Sequence, residues 1–218
     1  IVDYTITTPN GIQTLHCTLG SYNDPQSRAQ VEIGYGEPDK EIFMWNSHDA
    51  FTVYDHADIE ANATTSYQFT IANYNEEEPS ATADFLGEGE LPDGHAITAI
   101  YPTQKTAVNT GNITLTIPEF SAATMQANTP EEQTAYMSER MFMFATGTVA
   151  TENNSLAFEQ LCAMARITYI NATPDEQTVT SAALVGDGEY FGESMDFNLL
   201  EQEGSTTKTS VSTSLKFT

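Results

Sequence analysis

Basic residues are scarce in this chain. It carries seven Lys and Arg against 31 Asp and Glu over 218 residues, a formal net charge of −24. Phosphate backbones are bound by clustered Lys and Arg, so the deficit excludes nucleic acid as a partner. It also argues against docking to an anionic membrane surface. Cysteine is nearly missing too, with only Cys17 and Cys162. Two cysteines make no disulfide framework. They form one bond if the strands carrying them meet, and otherwise stand as two buried thiols. No apolar run approaches about 18 residues, so no segment reads as a transmembrane helix. The residues from Ile1 do not read as a signal peptide, which leaves a mature exported chain or one never secreted. A composition rich in Thr and Asn and poor in Lys favours export.

Catalytic motifs are missing as well. There is no Gly-x-Ser-x-Gly, no phosphate loop and no His-Glu-x-x-His. The four histidines, 16, 48, 56 and 95, are dispersed. His48-Asp49 and His56-x-Asp58 could converge on a metal, but adjacent or i+2 spacing outside a known ligand pattern is weak. Acidic loops could attract calcium, yet no EF-hand spacing occurs. The expectation is therefore a non-catalytic protein without cofactor or metal. The single tryptophan, Trp45, could serve a glycan-binding protein as a sugar-stacking platform. Its neighbours Ile42, Phe43 and Met44 favour a buried anchor instead.

What the chain does have is period-two alternation. Leu15, Cys17 and Leu19 alternate with His16 and Thr18. Ala29, Val31, Ile33 and Tyr35 alternate with Gln30 and Glu32. Tyr67, Phe69 and Ile71, then Ile113, Leu115 and Ile117, then Ala163, Ala165, Ile167 and Tyr169 follow the same rule. Further strands are expected at Val2–Ile6, Phe51–Tyr54, Ala96–Tyr101, Val179–Val185, Met195–Leu199 and Val211–Phe217. One-face alternation with turn residues between strands (Pro9-Asn10-Gly11, Pro92-Asp93-Gly94, Asp187-Gly188) predicts a mainly β, antiparallel sandwich. One helix is expected in a connection. Thr129-Pro130-Glu131-Glu132 supplies a capping box, and Met137, Met141 and Phe144 follow at helical spacing beside Tyr136. A boundary is expected at Pro174, giving a first domain over 1–173. Residues 174–218 either complete it or begin a truncated second β domain.

Three segments carry a family resemblance. Arg28-Ala29 opens a strand, and Trp45-Asn46-Ser47-His48-Asp49-Ala50-Phe51-Thr52-Val53-Tyr54 gives an aromatic residue, a short turn, a Gly-Asp-like pair and an apolar strand. His48-Asp49 stands where Gly-Asp is usual. Ala83-Asp84-Phe85-Leu86-Gly87 leads to Ala99-Ile100-Tyr101-Pro102. Met141–Ala145 leads to Leu156–Ile167 as paired strands. Together, over about residues 28–171, they resemble the fimbrillins, which build one kind of pilus. The resemblance implies a transthyretin-like β-sandwich in a pilus subunit, exported as a lipoprotein to the outer membrane of Bacteroides-type bacteria. It also implies an N-terminal segment removed by an Arg-specific protease, which here points to processing between Arg28 and Ala29. The partners implied are other pilus subunits joined by strand addition, with a host or bacterial surface ligand beyond them. The tail alternates Val211, Thr213, Leu215 and Phe217 against Ser210, Ser212, Ser214 and Lys216. That makes it either a candidate donor strand or an ordinary strand of its own chain. A glycan-binding surface lipoprotein is the alternative reading.

Overall fold

The structure, a computed structural model, describes residues 12–19, 44–63, 65–75, 80–89, 91–104, 111–116, 140–150, 154–161, 172–173, 175–176, 181–185, 191–210 and 212–216. Within these the chain is mainly β. The strands are β1 (Ile12–Leu19), β2 (Ala50–Asp55), β3 (Tyr67–Ala72), β4 (Thr82–Glu88), β5 (Ala96–Tyr101), β6 (Asn112–Thr116), β7 (Met143–Thr148), β8 (Ser155–Gln160), β9 (Ser181–Val185), β10 (Phe191–Asn198), β11 (Glu203–Ser210) and β12 (Ser212–Lys216). One short helix, α1 (His56–Glu60), follows β2.

Seven strands close into a barrel in the order β1-β4-β3-β2-β5-β7-β8. The predicted sandwich is therefore corrected at this point: the main sheet has no open edge. A ring with an odd number of strands cannot alternate direction throughout. One pair must run parallel, and it is β1 with β8, where Cys17 faces Leu156 and Leu19 faces Phe158. The other ring pairs are antiparallel. Closure satisfies the backbone groups that an edge would leave unpaired.

The alternation builds the barrel interior. Leu15, Cys17 and Leu19 are buried while His16 and Thr18 are exposed. Phe69 points in, with Gln68 and Thr70 out. Aromatic rings fill the centre. Phe51 lies 5.6 Å from Phe69, 4.8 Å from Phe85 and 5.1 Å from Phe158 between centroids. Trp45 meets Phe85, Tyr101 and Phe158 edge-on. Gly87 faces Phe69 across the β3–β4 ladder, and a Cβ there would stand 2.5 Å from the ring. The missing side chain makes room for the phenyl group.

A second layer covers β2 and β5 from outside. The sheet β11-β10-β6 brings Ile113, Leu115 and Phe197 onto Tyr54 and Ile100. This explains why β2 and β5 are buried on both faces, Thr52, Asp55 and Thr98 included. Residues 194–198 thus join β6 in one sheet, and Met195, Phe197 and Leu199 share its core. β12 pairs with β9.

The helical stripe ending at Phe144 is overturned. Met143 and Phe144 open β7, and Arg140 lies in a turn. Met143 and Ala145 face the barrel core, and Phe142 and Phe144 face the second layer. A strand buried on both faces gives an unbroken apolar run that also satisfies i, i+4 spacing. The capping sequence from Thr129, with Met137, lies outside the described residues. So do the strands expected at Val2–Ile6, Ala29–Tyr35 and Ala163–Tyr169. The helix that does form was missed because five residues show no periodicity. Asp55 caps it, its carboxylate accepting from Ala57 N at 2.9 Å, and Ile59 anchors it.

Candidate functional site

β1 is the strand with two unlike neighbours. Along β4 it runs antiparallel, with Leu15 opposite Phe85 and Cys17 opposite Ala83. Along β8 it runs parallel. Backbone bonds reach past both ladders: His16 N donates to Asn154 O and Leu19 N to Ala81 O, each at 2.9 Å. Trp45 joins the seam from within. Its indole Nε1 donates to Cys17 O at 3.4 Å, and its own N–H bonds Ser80 O at 3.0 Å. Outside, His16 Nδ1 contacts the Asp84 carboxylate directly across the pair. The Cys17 thiol is held protonated, well above the ordinary thiol range, by burial first and by the Asp84 charge second. A thiol so held is no nucleophile.

A groove of about 410 Å³ opens beside this seam. His16 and Thr18 of β1, Thr82 and Asp84 of β4, and the Asn73–Asn75 turn line it, with Cys17 and Trp45 at its base. Asn73 has φ of 55°, a left-handed conformation that Asn tolerates, and this turns the chain after β3.

The sequence-predicted residues divide unevenly. Arg28, Ala29, Val211, Phe217 and Cys162 lie outside the described residues. Thr213 and Leu215 sit in β12, opposite Leu184 and Ala182 of β9. Trp45 is 2% exposed, which removes it as a sugar-stacking platform. Cys17 is a free thiol, which removes its bond to Cys162.

The histidines do not gather around a metal. Among the described residues no three His, Cys, Asp or Glu side chains converge. His48 is exposed and bonds Ser47 Oγ at 2.9 Å. Asp49 instead accepts from Asn46 N at 2.6 Å and Tyr101 Oη at 2.7 Å, fixing the turn into β2. Burial raises its pKa, with these bonds opposing. His56 and Asp58 both belong to α1, and His56 turns to Thr98 Oγ1 at 2.9 Å. The Thr98 hydroxyl spends its one proton on Leu199 O at 2.8 Å. His56 Nε2 must therefore be the protonated nitrogen and the donor. Burial lowers the His56 pKa, with Asp55 and Glu60 opposing.

Sequence reading missed the pairing of buried Asp55 with His95, whose Nδ1 lies 2.7 Å from Asp55 Oδ2. Forty residues separate them, and no motif links them. The pair ties the turn before β5 to the N-terminus of α1. The arrangement orients an imidazole, but the described partners of Asp55 are structural.

No protein-family model matches the chain, and neither a curated protein nor a solved structure does.

Proposed function

We propose that this protein is a non-catalytic structural subunit of a cell-surface pilus, of the fimbrillin kind, joined to its neighbours by strand addition. The observation that carries the reading is the position of β1. It is the parallel member of the ring, and it precedes Arg28 in the chain. One backbone cut at Arg28 would disconnect β1 from every other described strand. Taking it out leaves six strands with β4 and β8 as open edges, an open sheet closer to the transthyretin-like sandwich that the resemblance implies. The vacated slot would present Phe85, Leu156 and Phe158, the residues that Leu15, Cys17 and Leu19 now meet. A strand with apolar residues at every second position fills such a slot. The tail from Val211 to Phe217 approaches that pattern, with Val211, Leu215 and Phe217 on one face beside Thr213, and to donate it the tail would have to leave its pairing with β9. Its partners on this reading are further subunits, with a surface ligand of a host or another bacterium, and its place is the outer membrane or a fimbrium.

The test begins with a chain ending at Ser210, cut at Arg28 and freed of residues 1–28 in mild denaturant. Loss of β1 should redden the emission of Trp45, the sole tryptophan. A synthetic peptide covering Ser210–Thr218 should reverse the shift and raise the melting temperature by mass action. A peptide with Leu215→Asp and Phe217→Asp should do neither. If the native peptide fails to stabilise the cut protein, strand addition by this tail is overturned.

A further inference from the structure

We propose that the groove beside β1 is a binding site for a neutral saccharide, and this inference does not depend on strand addition. The groove's volume of about 410 Å³ falls in the range of small-molecule pockets, about 300–1,000 Å³. Its described lining disfavours anions. Among the described residues no Lys or Arg borders it, the His16 ring is engaged by Asp84, and the molecule carries −24. Its lining is mixed: Ala72, Ala83 and the ring of Tyr74 stand beside carboxylate, imidazole, amide and hydroxyl groups, which suits neither a purely apolar nor a purely polar ligand.

What fits is a molecule with one apolar C–H face and a ring of hydroxyls. Tyr74, partly buried in the turn that left-handed Asn73 creates, gives an aromatic wall with a polar tip. Asp84 and His16, 42% and 55% exposed, line the same groove in direct contact with each other. A carboxylate accepts two hydrogen bonds side by side, the spacing that vicinal hydroxyls offer. Thr18 on β1 and Thr82 on β4 add hydroxyls from the two strands. The base is already fixed, because Trp45 and Cys17 are buried and bonded to each other. A site so anchored loses little freedom on binding. Since β1 supplies one wall, the site exists only while β1 is in the barrel.

The experiment uses the uncut, full-length, ¹⁵N-labelled chain, so its failure leaves the strand-addition test untouched. Cellobiose, maltose and lactose are titrated, with glucuronic acid as the charged control. The expected result is a saturable shift of the Trp45 indole N–H and the Thr18, Tyr74 and Asp84 amides with at least one neutral disaccharide. Glucuronic acid should give none. Tyr74→Ala and Asp84→Asn should each weaken binding about tenfold, about 1.4 kcal/mol, with melting temperatures close to that of the parent. Absence of saturation with all three neutral sugars overturns the proposal. So does binding that both folded variants retain in full.

Discussion

Single residues set the tolerances of this core. Phe69 lies over Gly87, and a methyl group added there meets the ring at 2.5 Å. The ring is itself stacked on Phe51 and cannot swing aside freely. Gly87→Ala should therefore destabilise by about 1–3 kcal/mol through overpacking, read as a lower urea midpoint with an unchanged slope. An unaltered midpoint would mean that the core absorbs the methyl. His56 gives a pH signature. Its folded pKa is lowered, so below the ordinary histidine value of about 6.5 the unfolded chain binds the extra proton first. The His56 contribution is thus whole above that value and declines as pH falls towards the folded pKa. His56→Gln retains a donor towards Thr98 and does not titrate. The melting temperature of the parent should fall relative to His56→Gln on acidification below that point. Parallel curves would show that His56 does not sense pH.

At the scale of elements, β1 and α1 are the informative ones. The Asp55 carboxylate caps α1 and holds His95, so Asp55→Ala removes both bonds at once. A lost N-cap alone costs about 0.5–2 kcal/mol, and His95 loses its buried acceptor as well. Thermal melting should show a loss at the upper end of that range or beyond it; a smaller one would mean that solvent replaces both bonds. Protease access tests the connection after β1. Arg28 follows Tyr22-Asn23-Asp24-Pro25-Gln26-Ser27, a stretch of turn formers, whereas Arg140 is 9% exposed in the turn before β7. Limited trypsin should cut after Arg28 before Arg140. Mass spectrometry finding the Arg140 cut first would contradict this order.

For the whole molecule, charge is the dominant quantity. With −24 on 218 residues, like charges repel across a folded surface more than along an unfolded chain. Salt screens that repulsion over about 8 Å at physiological ionic strength. The melting temperature should therefore rise between low salt and about 0.15 M sodium chloride. A fall would mean that the His16–Asp84 and His95–Asp55 contacts, which salt weakens, outweigh the general repulsion.

Local alternation made the strands legible. Leu15-Cys17-Leu19 and Ile113-Leu115 carry their burial in the sequence, because a pleated strand exposes every second side chain. Trp45 as a buried anchor was legible for a different reason, the consecutive apolar residues Ile42, Phe43 and Met44 before it. Where both faces are buried, alternation vanishes, and the run at Met141–Ala145 could be taken for a helix. The Asp55–His95 pair, the Gly87–Phe69 fit and the His16–Asp84 wall of the groove join residues 40, 18 and 68 positions apart that only the tertiary pairing brings together. Closure of the barrel was out of reach too. A strand's sequence shows which face is apolar but not which two strands will flank it. The parallel β1–β8 contact, which turns an open sheet into a ring, is decided by long-range pairing alone. Composition and periodicity thus determined an acidic, mainly β chain with an aromatic core. The tertiary structure decided that β1 closes it and that a groove lies along the seam.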